Sequence, residues 1–408
     1  MEKHIAIIAT TKDFLGKFER ENVALLQQDG YIVHYITNMN EPAYMPDGIC
    51  LDIPGIHIHH IAIARSPFLF RQNARALRQL TGLLSQFPIQ AIHCHTPVGG
   101  VLGRLAGRLF RGRRLPVLYT AHGFHFYKGA PLLNRLLYHP VEWLLARYTD
   151  ILVVINGEDR HSARRLPLRK GGRVWQIPGV GLDRNRFRPL PEEQRRLYRR
   201  QMGIGEAQFL LVSVGELNDN KNPRVILDAL AKLREAGRDI AGIRYVVCGD
   251  GFYRQRMEAW IRELNLSGTV TLYGHCVHIP EILGCADAAA FPSKREGLGM
   301  AGLEALAVGI PLLAADNRGT REYMEHGKNG FVYRWDDAGG FAQGIETLRA
   351  MPKERRREMA EYCRRSSAPF DKARARAVMQ EVYAELDRRI EQECHESPSD
   401  RQYYHERV

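Results

Sequence analysis

Short apolar runs rich in β-branched residues recur along the chain, separated by longer stretches whose apolar positions repeat at helical spacing. HIAIIAT, YIVHYIT, QAIHCHT, PVLYTAHG and ILVVING are runs of the first half, and NARALRQLTGLLSQ and NRLLYHPVEWLLARYT are two of the stretches between them. The runs predict strands covered on both faces, and the stretches predict helices. PGVGLDRNRFRPLPEEQ, dense in proline, glycine and charge, interrupts the pattern, which restarts with FLLVSVG, RYVVCGDG, TVTLYG, AAAFPS and IPLLAA. Repetition of strand, helix, strand implies parallel sheets with right-handed crossovers. Two such series around one linker near residues 180 to 195 predict an α/β chain of two doubly wound parallel-sheet domains, over 1–188 and 189–369. With 408 residues, each domain has enough chain for its own core. The polar, aperiodic residues 391–408 are expected to be disordered.

In open parallel sheets ligands bind beyond the carboxyl ends of the strands, so the loops there are where chemistry is expected. Three of them together resemble a phosphate site. After FLLVSVG comes ELNDNKNPRV, where Asn222 can cap a helix, Pro223 fits its first turn and Lys221 stands just outside its positive end. After YVVC comes GDG, whose Gly249 and Gly251 let the backbone approach a ligand closely. After AAAFPS, Gly297, Leu298 and Gly299 precede a helix expected to start near Met300. Free amides at such a start attract an anion, by roughly 0.3 to 1 kcal/mol per charge from the dipole alone.

Glu296 and Glu304 flank that start. Glu304 lies one turn inside the helix, roughly 6 to 8 Å along its axis from the amides. An ionised carboxylate only accepts hydrogen bonds, and its natural partner is a pair of hydroxyls. A diphosphate at the amides with a diol at each end is a nucleotide sugar. The plainer reading keeps Glu296 as a loop charge and Glu304 as a helix surface residue.

Charge adds a second theme. The formal net charge is +12 and the pI about 9.4, which favours an acidic partner. RSPFLFRQNARALRQLTGLL and GGVLGRLAGRLFRGRRLP interleave Arg71, Arg75, Arg78, Arg104, Arg108 and Arg111 with leucine and phenylalanine. That composition suits a basic amphipathic surface resting on anionic headgroups, or two ordinary helices with solvated arginines. Nucleic acid ranks lower, since the chain has no zinc module, RNP-like strand or compact basic arm. No apolar run approaches the roughly 20 residues of a bilayer span. Seven cysteines without a CxxC pair suit a reducing compartment, so a cytosolic chain is expected. HIHH (His57, His59, His60) and HCH (His93, His95) suggest a metal, but no carboxylate or cysteine set completes a ligand pattern, and none is expected. His125 is expected to pack in a wall rather than react.

FPSKREGLGMAGLEALAVGIPLLAADNRGTREYMEHGKNGFVY resembles the donor-site signature of family 4 retaining glycosyltransferases. TAHGFHFYKGAPLLNRLLYHPVEWLLARYTDILVVINGED and PGVGLDRNRF are similar to members that build capsular, exopolysaccharide or related surface glycans. The resemblance spans nearly all of residues 1 to 390 and implies the GT-B architecture. That architecture has two Rossmann-like domains facing across a cleft, the first for acceptor and the second for donor. A last helix, about 370–390, would cross back to the first domain. The resemblance also implies roles: Glu296 on the donor sugar, Glu304 on the ribose, Lys221 on the diphosphate, His122 on the sugar and Gly16, in the loop after the first strand, near the diphosphate. A UDP-sugar donor and a hexosyl- or N-acetylhexosaminyl-type transfer, retaining and metal-independent, are expected.

One departure stands out. Many relatives place an arginine where this chain has Glu216, whose charge would oppose a diphosphate; Arg295 or Arg318 is expected to compensate. The basic helices suggest a lipid-linked acceptor, such as a polyprenyl-diphosphate-linked sugar, at the inner membrane face. A nucleotide-sugar epimerase or phosphorylase of the same fold, or a non-catalytic protein binding anionic membranes, are the alternatives. A nicotinamide oxidoreductase would need GxGxxG after its first strand, where ATTKDFLGKFER offers only Gly16.

Overall fold

A computed structural model describes residues 2–40, 53–110 and 114–396. The chain forms two compact units, Met1–Val180 with Ala373–Val408, and Gly181–Lys372.

In the first unit β1 (Lys3–Thr11), β2 (Tyr31–Asn38), β3 (Ile56–His60), β4 (Ile89–His95), β5 (Val117–Ala121), β6 (Ile151–Val154) and β7 (Arg173–Gln176) make one sheet. Its order is β3-β2-β1-β4-β5-β6-β7 and every pairing is parallel. The direction of winding reverses between β1 and β4, which leaves a crevice beyond their carboxyl ends. Central strands are sealed on both faces, with Ile5, Ile7, Ile8, Ala91 and Ile92 wholly buried. The edge strands β3 and β7 carry IHIHH and RVWQ and are largely half-exposed.

The helix Pro97–Leu109 corrects one expectation. A Cβ at Gly100, Gly103 or Gly107 would come 2.5, 2.6 and 2.6 Å from Tyr119, Cys94 and Val117, so this helix lies tight on the sheet. Arg104 therefore points inward: it is 1% exposed, its Nη1 is 2.6 Å from Glu142 Oε2, and its guanidinium lies 4.2 Å over Tyr119. It is a buried ion pair, not a membrane contact. Arg108 is exposed, as are Arg71, Arg75 and Arg78 on the helix Phe70–Leu84. Arg111 lies outside the described residues.

The final helix, Lys372–Glu396, belongs almost wholly to the first unit. Tyr383 bonds His93 at 3.1 Å and Asp387 meets Lys3 at 3.2 Å. The helix reaches beyond residue 390, so residues 391–396 are helical rather than disordered. Glu393 pairs with Arg169 and holds that last stretch in place. Residues 397–408 lie outside the described residues. Among the described residues no helix is long and apolar enough to cross a membrane.

In the second unit β8 (Phe209–Val214), β9 (Ile243–Cys248), β10 (Val270–Gly274), β11 (Ala288–Phe291), β12 (Leu312–Ala315) and β13 (Gly330–Tyr333) form a parallel sheet of order β10-β9-β8-β11-β12-β13. Its winding reverses between β8 and β11.

Candidate functional site

The loops beyond β8 and β11 meet at that reversal. Lys221, from the β8 loop, places its Nζ 2.6 Å from Glu296 Oε1, from the β11 loop, and 5.3 Å from the centre of the Phe291 ring. One backbone and one side-chain bond lock the two loops: Lys294 N donates to Asn220 O at 2.8 Å, and Asn220 Nδ2 donates to Arg295 O at 2.9 Å. Asn222 does not cap the next helix, which starts at Arg224. Its φ is 52°, and its amide instead bridges the carbonyls of Pro292 and Trp335. Asn218 takes the capping task for the turn, accepting from Lys221 N at 2.9 Å.

GDG packs against the β8 loop. A Cβ at Gly249 would fall 1.8 Å from Gly215 O and one at Gly251 2.6 Å from Leu217 O. These glycines admit the β8 loop itself. Gly251 also lies against Glu216, 3.0 Å from its Cγ to the Cβ that a larger residue would carry, so Glu216 sits beside this turn.

After β11 the chain turns through Gly297, the buried Leu298 and Gly299, and the helix Met300–Val308 begins. Gly299 has φ 88°, and a Cβ there would strike Phe291 at 2.7 Å. No side chain caps this start. Tyr323 donates to the Gly299 carbonyl at 3.2 Å, and Arg318 Nε donates to the Glu296 carbonyl at 3.2 Å. Arg318 is thus largely buried behind the loop, while Arg295 is exposed on it.

Glu304 lies on the first turn and a half of the helix. Burial pushes its carboxyl up to about 7, against the opposing pull of Arg186 and Lys221. Arg186, from the linker, is a neighbour that sequence reasoning did not single out; its place in PGVGLDRNRF was the available signal.

In the first unit, candidate residues gather at the β1/β4 reversal. Gly16 lies in a π-helical turn, Leu15–Glu19, rather than a loop. Such turns recur at functional sites. His122, just after β5, places Nε2 3.3 Å from His95 Nδ1, with the Phe14 ring edge-on at 5.0 Å. His95 Nε2 in turn lies 3.3 Å from Glu19 Oε2, off the line of a hydrogen bond. Burial holds His95 and His122 at about 3, so both are neutral, and it raises Glu19 against the pull of His93 and Asn22. In the tautomer that holds the His95 proton on Nε2, on the side of Glu19, His95 Nδ1 accepts from His122 Nε2. The lone pair left on His122 is then at Nδ1. Thr96, beside them, has φ 63° and ψ 158°, a region that side chains rarely adopt.

Glu19, His93 and His95 offer ligand atoms within 4.8 Å of one another, which supplies the carboxylate missing from the HCH pattern. Both ring nitrogens of His93 are already engaged, by Tyr383 at 3.1 Å and Thr120 at 2.9 Å, which fits a hydrogen-bonded core cluster better than a ligand set. HIHH also packs within the protein: His34 bonds His4 at 2.9 Å and His59 at 3.0 Å, and stacks on His57.

Residues 194–366 match the family model described as "Glycosyl transferases group 1", and residues 16–179 match "Glycosyl transferase 4-like domain". The chain is 40% identical over 386 residues to the putative glycosyltransferase EpsD of Bacillus subtilis (strain 168), covering 94% of this chain and 97% of that protein. It is 27% identical over 276 residues to the Escherichia coli UDP-Gal:alpha-D-GlcNAc-diphosphoundecaprenol alpha-1,3-galactosyltransferase, covering 67% of this chain and 70% of that one. The crystal structure of Anabaena Alr3699/HepE in complex with UDP-glucose has the same fold, with TM-score 0.74 and 19% identity over 93% of this chain and 99% of that one.

Proposed function

Because this chain belongs to the family 4 (group 1) glycosyltransferases and has their GT-B fold, we propose that it moves a hexosyl or N-acetylhexosaminyl residue from a UDP-sugar to a lipid-linked glycan acceptor. We place the reaction in exopolysaccharide or capsule assembly, with retained anomeric configuration. The contact between Lys221 and Glu296 at 2.6 Å carries this reading, because it puts a cation and a hydroxyl acceptor together at the carboxyl end of the sheet.

Cleaving the anomeric C–O bond leaves negative charge on the nucleoside diphosphate. Lys221 and the uncapped amides after Gly299 stabilise that charge with no metal in the scheme. A diphosphate draws Lys221 away from Glu296 and leaves the Glu296 carboxylate to accept from sugar hydroxyls. Glu304 accepts from the ribose, and Arg295, exposed on the β11 loop beside Glu296, offsets Glu216. Gly249 and Gly251 shape the phosphate pocket through the loop they admit. On the family resemblance we assign His122 to the donor sugar and Gly16 to the diphosphate.

The family relation to an enzyme acting on a diphosphoundecaprenol substrate supports a polyprenyl-diphosphate acceptor. The positive net charge and the exposed Arg71, Arg75, Arg78 and Arg108 support work at the cytoplasmic face of an anionic membrane. Lys221→Ala is expected to lower kcat about 10² to 10³-fold, the usual cost of one preorganised donor. Turnover within a few-fold of wild type would remove Lys221 from the phosphate site. Proton NMR of the product's anomeric coupling decides retention.

A further inference from the structure

The helix Leu132–Ala146 turns its apolar side chains outward. Leu132, Leu133, Leu136 and Leu144 are 76, 63, 73 and 53% exposed, and Val141 and Trp143 are exposed beside them. Its inward side holds Leu145, Ala146 and Glu142, and Glu142 is taken up by Arg104. The exposed charged residues of the helix and its C-cap are Arg135 and Arg147, with no acid among them. Arg147 lies 3.7 Å over the Trp143 ring.

At the same end Arg147 joins Arg114, Arg169, Lys170 and Arg389 around a cavity of about 470 Å³. The acids lining it, Asp150 and Glu393, both pair with Arg169. Arg108 borders an adjoining hollow with Arg114 and Arg147. Large apolar side chains exposed together along one helix mark an interaction site. A second copy of the chain is a poor cover, because a two-fold contact would bring these cations close to their own copies.

We propose that this helix lies in the plane of an anionic phospholipid bilayer, its leucines among the acyl chains and Arg108, Arg114 and Arg147 at the phosphates. The inference rests on the membrane reading above and assigns it a different element from the arginine helices that the sequence pointed to. Fifteen residues make a rod of about 22 Å, long enough to anchor a unit without crossing the membrane. The helix starts shortly after His122, and His125 stacks on its Tyr138 at 4.5 Å. The middle of the helix thus lies against the segment that follows β5, where a lipid-linked acceptor would have to arrive.

Flotation of the purified full chain with vesicles of phosphatidylcholine alone, and of phosphatidylcholine with phosphatidylglycerol, tests this. Wild type is expected on the mixed vesicles only, and bromine on the lipid chains is expected to quench Trp143, a signal lost in Trp143→Phe. Leu136→Glu with Leu144→Glu is expected to lower partition at least about tenfold with an unchanged melting temperature, and Leu136→Ser with Leu144→Ser to act in the same direction more weakly. Should wild type bind neither vesicle, the membrane reading itself falls. Should wild type bind and both variants bind equally well, or should the substitutions instead dissolve a dimer seen by sedimentation, the helix assignment falls while the membrane reading stands.

Discussion

Donor affinity should depend on pH through Glu304. Burial raises this carboxyl from its ordinary 4.5 to about 7, so in the ligand-free protein it is largely protonated below that point. Accepting from both ribose hydroxyls needs the ionised form. Between pH 8 and pH 6 the ionised fraction falls from about nine tenths to about one tenth, so affinity should fall about tenfold, or about 1.4 kcal/mol. The effect on the unliganded fold has the opposite sense. The folded chain keeps a proton that the unfolded chain releases above 4.5, so this group's contribution to stability declines as pH rises from 4.5 through about 7. Donor-induced thermal shifts should therefore grow with pH across that window. Calorimetric titration with UDP-glucose at constant ionic strength is the assay; the terminal phosphate of free UDP would itself titrate near pH 6, by analogy with other phosphomonoesters. His95 and His122, both held at about 3, stay neutral throughout and add no slope. Glu304→Gln should bind weakly with a flat profile. Equal wild-type affinity at pH 6 and pH 8, or an unchanged slope in the glutamine variant, would refute the role given to Glu304.

Further outcomes follow from other contacts. Arg295→Ala is expected to weaken UDP-sugar binding, and an unchanged dissociation constant by titration would release Arg295 from the donor. Gly249→Ala, whose Cβ would sit 1.8 Å from Gly215 O, should lower the melting temperature of the second unit by several degrees, consistent with a loss of about 2 kcal/mol or more; an unaltered melt would refute that steric account. Glu142→Ala leaves Arg104 buried without its partner and should cost about 3 to 5 kcal/mol, whereas Glu142→Leu with Arg104→Met should cost much less, as read from urea midpoints. His95→Phe removes the ring nitrogen that lies 3.3 Å from His122 Nε2. Nitrogen-15 shifts of His122 should then show a changed tautomer ratio, while a pure packing role would leave them in place.

The central strands were legible because both faces are buried and their residues form unbroken apolar runs. The edge strands β3, β7 and β13 were not, since IHIHH, RVWQ and GFVY are mostly half-exposed and mix polar with apolar positions. Arginines at helical spacing made Pro97–Leu109 look like a surface helix. The better signal was its glycines at 100, 103 and 107, which mark close packing on a sheet. Loop chemistry placed Lys221 and Glu296 in one site although 75 positions separate them. The line from Glu19 through His95 to His122 joins the helical turn after β1 to the ends of β4 and β5 by tertiary packing, and no local pattern announces it. Leu132–Ala146 read as an ordinary helix because periodicity tells which residues share a face, not which face the protein covers.

The ion pair between Lys221 and Glu296 would compete with a bound nucleotide sugar for both side chains. On the proposed assignment, a nucleotide would take Lys221 from a carboxylate 2.6 Å away, and once the sugar had left, that carboxylate would reclaim the cation. Spent nucleotide would thereby be pushed out by the residue proposed to hold the sugar. Neutralising it, as in Glu296→Gln, should slow sugar transfer yet tighten the grip on UDP, so turnover and product inhibition would move in opposite directions.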